Sequence, residues 1–247
     1  MARYGKPSQK RVRLSVRRQK KGTVKTRKQT IAIGLSEPRK KRAKVPRAPK
    51  KRAVILESLK SYLSKRNLAI SKEPMPKIGK RKRAAHLRFV VQKHAARSLH
   101  YDFRLEVEGV LKSWAVPKGP SMDPSVKRLA IQVEDHPYDY KDFEGIIPEG
   151  YGAGSVMIWD EGTYFAENSV EESERRILDG LKKGVLHFTL QGKKLKGAFS
   201  MVLFRAPNQW LLSKKKDKFA RKQDITKKDR SVRSHLKLEQ IGKRRKK

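Results

Sequence analysis

From Phe89 onward the chain runs in short stretches of β-branched and aromatic residues, alternating with polar positions and broken by Gly, Pro and Asp. This pattern predicts strands at 88–94, 99–108, 110–115, 128–134, 154–160, 185–190 and 195–204. Several short strands at such spacing point to a mainly β fold, a barrel or a sandwich. Helical periodicity occurs twice. Ile55, Leu59, Tyr62 and Leu63 give a short amphipathic helix over 54–65, which Pro74 and Pro76 prevent from continuing. Ser169 caps a second helix over 169–183, where Ile177, Leu178 and Leu181 form the apolar face. Gln191-Gly192-Lys193-Lys194 reads as a hairpin turn, and no internal repeat is evident.

The strictest alternation is Leu99 to Glu108. Leu99, Tyr101, Phe103, Leu105 and Val107 share one face, and His100, Asp102, Arg104, Glu106 and Glu108 share the other. A solvated polar face accounts for the alternation, but solvated faces usually carry Lys, Glu, Thr and Ser. His100 and Asp102 with Arg104 instead combine two metal-ligand types and an anion clamp. The preceding strand ends in His94. If residues 95–98 turn the chain back, His94 joins His100 and Asp102 in a site suited to Mn²⁺, Fe²⁺ or Zn²⁺. The strand 128–134 and its exit add Arg128, Gln132, Glu134 and His136 on one face, followed by Tyr138 and Tyr140. Histidines, arginines and a carboxylate around one cavity fit metal-assisted phosphoryl chemistry.

Charge divides the chain of 247 residues, whose formal net charge is +39. Residues 1–88 carry 31 basic and 3 acidic side chains, 89–212 carry 16 and 17, and 213–247 carry 16 and 4. A near-neutral middle is thus flanked by basic arms with little apolar periodicity. These are expected to be disordered over 1–50 and 238–247 and to seek phosphates without reading sequence. With no cysteine, a disulfide framework, a thiolate metal site and a cysteine nucleophile are excluded. No apolar stretch follows the basic N-terminus, so a signal peptide is not expected, although its Arg-rich, acid-poor composition leaves organelle import as an alternative. Gly150, Gly152 and Gly154 read as a tight structural loop, since no helix follows them as a nucleotide-phosphate loop requires. Trp114, Trp159 and Trp210 read as core, His86, His187 and His235 as structural or exposed, and no Lys-x-Asp-Gly adenylation motif occurs.

The stretches FVVQKHAARSLHYDFRLEVEGVLKSWAVPKGPS and RLAIQVEDHPYDYKDFEGIIPEGYGAGSVMIWDEG resemble the 3′-phosphoesterase domain of bacterial DNA ligase D, in a stand-alone form. GKKLKGAFSMVLFR and WLLSKKKDKFA are similar to its closing strands, and the match runs from about Leu59 to Lys218. The resemblance implies a compact closed β-barrel with a polar active-site cavity. It divides the chain into a disordered arm (1–53), the barrel domain with its lead-in helix (54–218) and a basic tail (219–247).

The resemblance also implies an Mn²⁺-dependent enzyme, with Zn²⁺ or Co²⁺ as alternatives, that removes 3′-ribonucleotides and 3′-phosphates from nucleic-acid ends. By position, His94, His100 and Asp102 would hold the metal, and Arg104, His136 and Tyr140 would act on the phosphate. His136 would be a proton donor, or a charge stabiliser if protonated, and Tyr140 a hydrogen-bond donor or a core aromatic. Gln92, Lys118, Arg128, Arg66 and Glu73 would support substrate binding, while Asn67 departs from the family's usual aspartate. The implied partners are DNA or RNA–DNA 3′ ends and a separate ligase with end-joining factors. A cytoplasmic, nucleoid-associated monomer with no membrane contact is expected. The rival readings are a non-catalytic end-binding protein and an enzyme of small phosphoesters, which the basic arms disfavour.

Overall fold

The computed structural model describes residues 51–66, 73–77 and 85–243. Two short helices open the described part, α1 (Lys51–Ser58) and α2 (Lys60–Ser64), where one amphipathic helix was expected. Ten strands follow: β1 (Leu87–Ala95), β2 (Leu99–Val107), β3 (Val110–Val116), β4 (Lys127–Gln132), β5 (His136–Pro137), β6 (Gly145–Ile147), β7 (Gly154–Phe165), β8 (Val185–Gly192), β9 (Lys196–Arg205) and β10 (Gln209–Lys214). Helix α3 (Val170–Lys183) separates β7 from β8, and α4 (Leu238–Lys243) ends the described chain. The Ser169 hydroxyl accepts from the Glu172 amide at the start of α3, and Gly184 closes the helix at a φ of 75° that favours glycine.

Antiparallel pairing runs β1-β2-β3-β4-β10-β9-β8-β7, and β7 pairs back onto β1, so eight strands close a barrel. Closure leaves none of the eight with a free edge over its paired length, while β6 and β5 attach outside the ring to β7 and β3. Alternation then places one side chain of each adjacent pair in the lumen. Phe89, Val91, Tyr101, Phe103, Leu105, Trp114, Trp159, Phe188, Phe199 and Trp210 fill it as one apolar cluster, including all three tryptophans. The lumen is therefore filled mainly by hydrocarbon side chains. A second apolar cluster lies on the outer face. Leu59 between the two helices, Tyr62 from α2, Leu111 from β3, Tyr140 from the 3-10 turn Tyr138–Asp142, Phe143 just after it, Ile147 from β6 and Val156 from β7 pack together there. The helices are tied down by Asp135, whose carboxylate accepts from both the Ser58 hydroxyl and Lys112 Nζ.

The C-terminal stretch corrects the expected disorder of 238–247, because Leu238–Lys243 is helical and packed. Its few apolar residues have no periodicity, yet Ile225, Leu238 and Ile241 are each buried in the lumen's cluster. The charges around them are matched by partners from the barrel. Arg233 pairs with Glu161 and Asp142, the Ser231 hydroxyl donates to Glu144, and the Lys228 carbonyl accepts from the Trp159 indole. Tertiary contacts, not local amphipathicity, order this segment. The expected disorder of 1–50, position Asn67 and the terminal basic residues 244–247 lie outside the described residues.

Candidate metal centre and phosphate pocket

The β1–β2 hairpin builds the site. Its register sets Gln92 opposite Asp102 and His94 opposite His100, and directly paired residues on antiparallel strands point to the same side. Because Val91, Tyr101 and Phe103 face the lumen, Gln92, His94, His100, Asp102 and Arg104 all face outward, beneath the layer formed by α2, the 3-10 turn and β6. The residues 96–98 turn the chain back, as the sequence required for a shared site.

His94 Nδ1 lies 3.4 Å from one Asp102 oxygen and His100 Nε2 lies 3.7 Å from the other, with the two imidazole centroids 4.8 Å apart. All three donor atoms fall within 4.8 Å of one another. Ligands held about 2.1 Å from one ion stand about 3.0–3.4 Å apart, so a small inward adjustment would close this set around a divalent metal. The opposite ring nitrogens fix the tautomers. His94 Nε2 is 2.9 Å from the Gly152 carbonyl and His100 Nδ1 is 2.8 Å from the Ser98 carbonyl. Each of these nitrogens donates to its carbonyl, which leaves His94 Nδ1 and His100 Nε2 as the ring atoms that face Asp102. Burial alone would raise the Asp102 carboxyl, but Arg104, His94 and His100 outweigh it and hold it below the usual carboxylate range. Asp102 is thus the anionic member of the cluster. His100 is 23% exposed, the most open of the three, and marks the solvent side of the cluster.

Arg104 locks the cluster to the scaffold. Its Nε donates to Gln92 Oε1 at 2.8 Å, one terminal nitrogen donates to Ser113 Oγ at 2.8 Å, and the other lies 3.2 Å from Asp102. A guanidinium carries five N–H groups, so two stay available for an anion. Its carbon sits 4.9 Å from the centre of the Tyr140 ring. A second polar group packs against the same ring. His136 packs edge-on to Tyr140 at 4.9 Å, donates from Nδ1 to the Glu134 carbonyl at 2.9 Å, and meets Arg66 at Nε2 at 3.1 Å. Arg66 also pairs with Glu73 at 2.9 Å and Glu134 at 3.0 Å, and the Tyr140 hydroxyl donates to Glu73 at 2.8 Å. Burial, with Arg104 and Arg66 nearby, pushes His136 well below its ordinary 6.5. His136 is therefore neutral, with its Nε2 lone pair facing Arg66.

Residues 92–203 match the family model described as the DNA ligase D 3′-phosphoesterase domain. Over 170 residues the chain is 49% identical to the multifunctional non-homologous end joining protein LigD of Pseudomonas aeruginosa. It is 41% identical over 175 residues to the protein of that name from Mycolicibacterium smegmatis, and 40% over 166 residues to the corresponding DNA repair protein of Mycobacterium tuberculosis. Residues 92–203 are a 3′-phosphoesterase domain of the DNA ligase D type. These alignments cover 67–70% of this chain and only 19–23% of the relatives, so the chain spans about a fifth of their length. A second family model, for a family of unknown function, matches residues 3–51.

The expected site residues fall into two networks, with Gln92, Lys118 and Arg128 apart from both. His94, His100, Asp102 and Arg104 form one contiguous cluster, and Arg66, Glu73, His136 and Tyr140 form the second network against it. Gln92 belongs to neither as a contact residue. It is 0% exposed, its amide donates to the Tyr140 and Phe143 carbonyls, and its oxygen is taken by Arg104, so it positions the site and does not reach a substrate. Tyr140 is likewise corrected from a free hydrogen-bond donor, because its hydroxyl is committed to Glu73. Burial, with Arg104 and Arg66 nearby, favours the neutral form of His136 over the charged one.

Lys118 and Arg128 are not brought to this cluster. Strand β4 stops at Gln132, so Arg128 and His136 do not share one strand face. Gln132 accepts from the lumen residue Trp210, which puts Gln132, Ala130 and Arg128 on the inward face, across the sheet from the metal ligands. Arg128 Nε is buried there without a hydrogen-bond partner, and Lys118 lies exposed in the turn after β3.

Sequence reasoning missed Ser113, Glu134 and the carbonyl of Gly152 as parts of the site. Glu134 had a signal in its spacing from His136, and Ser113 had none, since only the β2–β3 register brings it to Arg104. The glycine loop was read as purely structural. Gly154 does serve close packing, since a Cβ there would lie 2.0 Å from the Ala95 carbonyl oxygen.

Proposed function

We propose that this domain is a metal-dependent 3′-end-processing phosphoesterase that removes 3′-ribonucleotides and 3′-phosphates from nucleic-acid ends and leaves a ligatable 3′-OH. The observation that carries the reading is the His94, His100 and Asp102 donor set lying directly against a buried arginine with spare N–H groups. Two neutral imidazoles and one carboxylate would hold Mn²⁺, or alternatively Zn²⁺ or Co²⁺. Such an ion, when bound, polarises a phosphoryl oxygen and lowers the pKa of a coordinated water.

In this reading Arg104 orients the phosphate through its two uncommitted N–H groups, a forked contact that lysine cannot copy. Gln92 and Ser113 hold that guanidinium in place, and Tyr140 provides the ring against which it rests. His136 is neutral in the free domain and accepts from Arg66 at Nε2, so it orients Arg66, which supplies the positive charge beside the phosphate. Glu73 and Glu134 fix Arg66 by ion pairs. Lys118, exposed in the turn after β3, would contact a strand extending away from the reacting phosphate. The basic arms would hold the domain on DNA or RNA–DNA ends in cytoplasmic repair by end joining, alongside a ligase acting on the product. Among the described residues no helix is long and apolar enough to cross a membrane.

The test uses a 5′-labelled primer-template ending in one ribonucleotide or a 3′-phosphate, with Mn²⁺, Mg²⁺, Zn²⁺ or EDTA. Metal-dependent shortening or dephosphorylation, lost in His94→Ala, is expected. Tight binding of the primer with no turnover under any metal would overturn the enzyme reading in favour of a 3′-end-binding protein.

A further inference from the structure

The loop between β6 and β7 carries an aromatic side chain that no part of the site described so far uses. Tyr151 is 50% exposed, although it lies between residues that contact the two halves of the site. The carbonyl of the next residue, Gly152, is the partner of His94 Nε2. The Tyr151 ring itself rests against Arg66, whose guanidinium carbon is 5.4 Å from the ring centre, and against Lys65, whose Nζ is 4.9 Å away. Arg66 in turn contacts His136.

The loop is also fixed in place. The Ala153 amide closes a turn onto the Gly150 carbonyl, and Gly154 approaches the Ala95 backbone too closely for any side chain. Tyr151 is therefore an aromatic ring held at a set position on the rim between the metal ligands and the Arg66–His136 pair. Cations occupy part of its π surface, and the remainder is open to solvent. Exposed aromatic rings beside an anion-binding pocket are the usual stacking surface for an unpaired base, and adjacent cations strengthen such a surface.

We propose that Tyr151 is the platform on which the 3′-terminal nucleobase stacks, so that the enzyme recognises a nucleoside at the end and not a phosphoester alone. The inference rests on the phosphoesterase reading and specifies its substrate class. A stacked base alters affinity by roughly ten- to a hundredfold. The consequence is a preference for ends that retain a base over ends that are abasic, without preference for one base over another, since every base offers a π face.

The experiment measures binding in EDTA, so that recognition is separated from chemistry. Oligonucleotides carry a 3′-phosphate on a terminal 2-aminopurine nucleotide or on an abasic terminal unit. The wild-type full chain should quench the 2-aminopurine fluorescence and bind the abasic end about tenfold or more weakly. In Tyr151→Ala the quench should disappear and the two ends should bind equally, while Tyr151→Trp should restore both the quench and the discrimination. Equal discrimination in wild type and Tyr151→Ala would overturn the platform. Failure of the phosphoesterase reading would show separately, as absence of metal-dependent turnover by the wild type on every 3′ end.

Discussion

Gln92→Leu tests whether the site is held by the buried amide at its centre. Leucine has nearly the same volume, so the change removes hydrogen bonds and leaves little cavity. Three are lost: the donations to the Tyr140 and Phe143 carbonyls at 3.0 and 2.8 Å, and the Arg104 Nε contact at 2.8 Å. Neutral hydrogen bonds contribute about 1 kcal/mol net and those to a charged group about 1.5–3 kcal/mol. Together the three give about 4 kcal/mol, because the residue is fully buried and water cannot replace the lost partners. Added apolar transfer from leucine offsets about 1 kcal/mol of this.

The net loss of about 3 kcal/mol is a large share of the roughly 5–15 kcal/mol that stabilises a typical domain. The assay is urea unfolding in EDTA followed by tryptophan fluorescence, since Trp114, Trp159 and Trp210 all lie in the lumen. With a urea slope of about 2 kcal/mol per molar, the midpoint should fall by about 1.5 M. Gln92→Glu, which keeps the Arg104 partner but loses both donated bonds, should also be destabilised. A midpoint shift under about 0.3 M for Gln92→Leu at unchanged slope would refute the argument that this amide organises the site.

Other consequences are equally open to measurement. His136 has a folded pKa well below 6.5, so it contributes stability that is present above pH 6.5 and lost as pH falls toward the folded value, where the unfolded chain takes up a proton first. Thermal melts between pH 7.5 and 5.5 should therefore decline more steeply for wild type than for His136→Gln, and equal slopes would contradict the assigned burial. Gly154→Ala should destabilise by about 3 kcal/mol or more, because its Cβ meets the Ala95 carbonyl. Gly150→Ala, at a φ of +79° with open space around it, should cost only about 1–2 kcal/mol, and matching Tm values for the two variants would refute the contact. Residues 1–50 carry 19 Lys and Arg and one acid, so their removal should reduce the salt dependence of DNA binding by several units of log–log slope. An unchanged slope in a filter-binding titration would deny the arm a role at phosphates.

The strands of the hairpin and the metal cluster were legible because each depends on local spacing. Strict alternation from Leu99 to Val107 fixed which residues share a face, and the link at 95–98 was short enough to return His94 toward His100, as the β1–β2 register shows it does. Helix α3 was legible in the same way, from its serine cap and apolar stripe. Strand β10 was missed as a strand by pattern alone, because Gln209–Lys214 is six residues long and merges into a lysine run.

What the sequence by itself determined is therefore the mainly β class and which of His100, Asp102 and Arg104 share a face, since these follow from side-chain period, with His94 joining them as a candidate ligand only if the chain turned back. Alternation cannot say which face of a sheet becomes the lumen. That was decided only when β7 closed onto β1, which sent the aromatic face inward and put the metal ligands on the outside, under the helices and the 3-10 turn. Closure likewise separated Arg128 from His136, joined Ser113 to Arg104, and drew Ile225, Leu238 and Ile241 of a basic, aperiodic segment into the core. Each of these depends on residues distant in the chain meeting in one place, where burial and desolvation set both the packing and the charge state of the site.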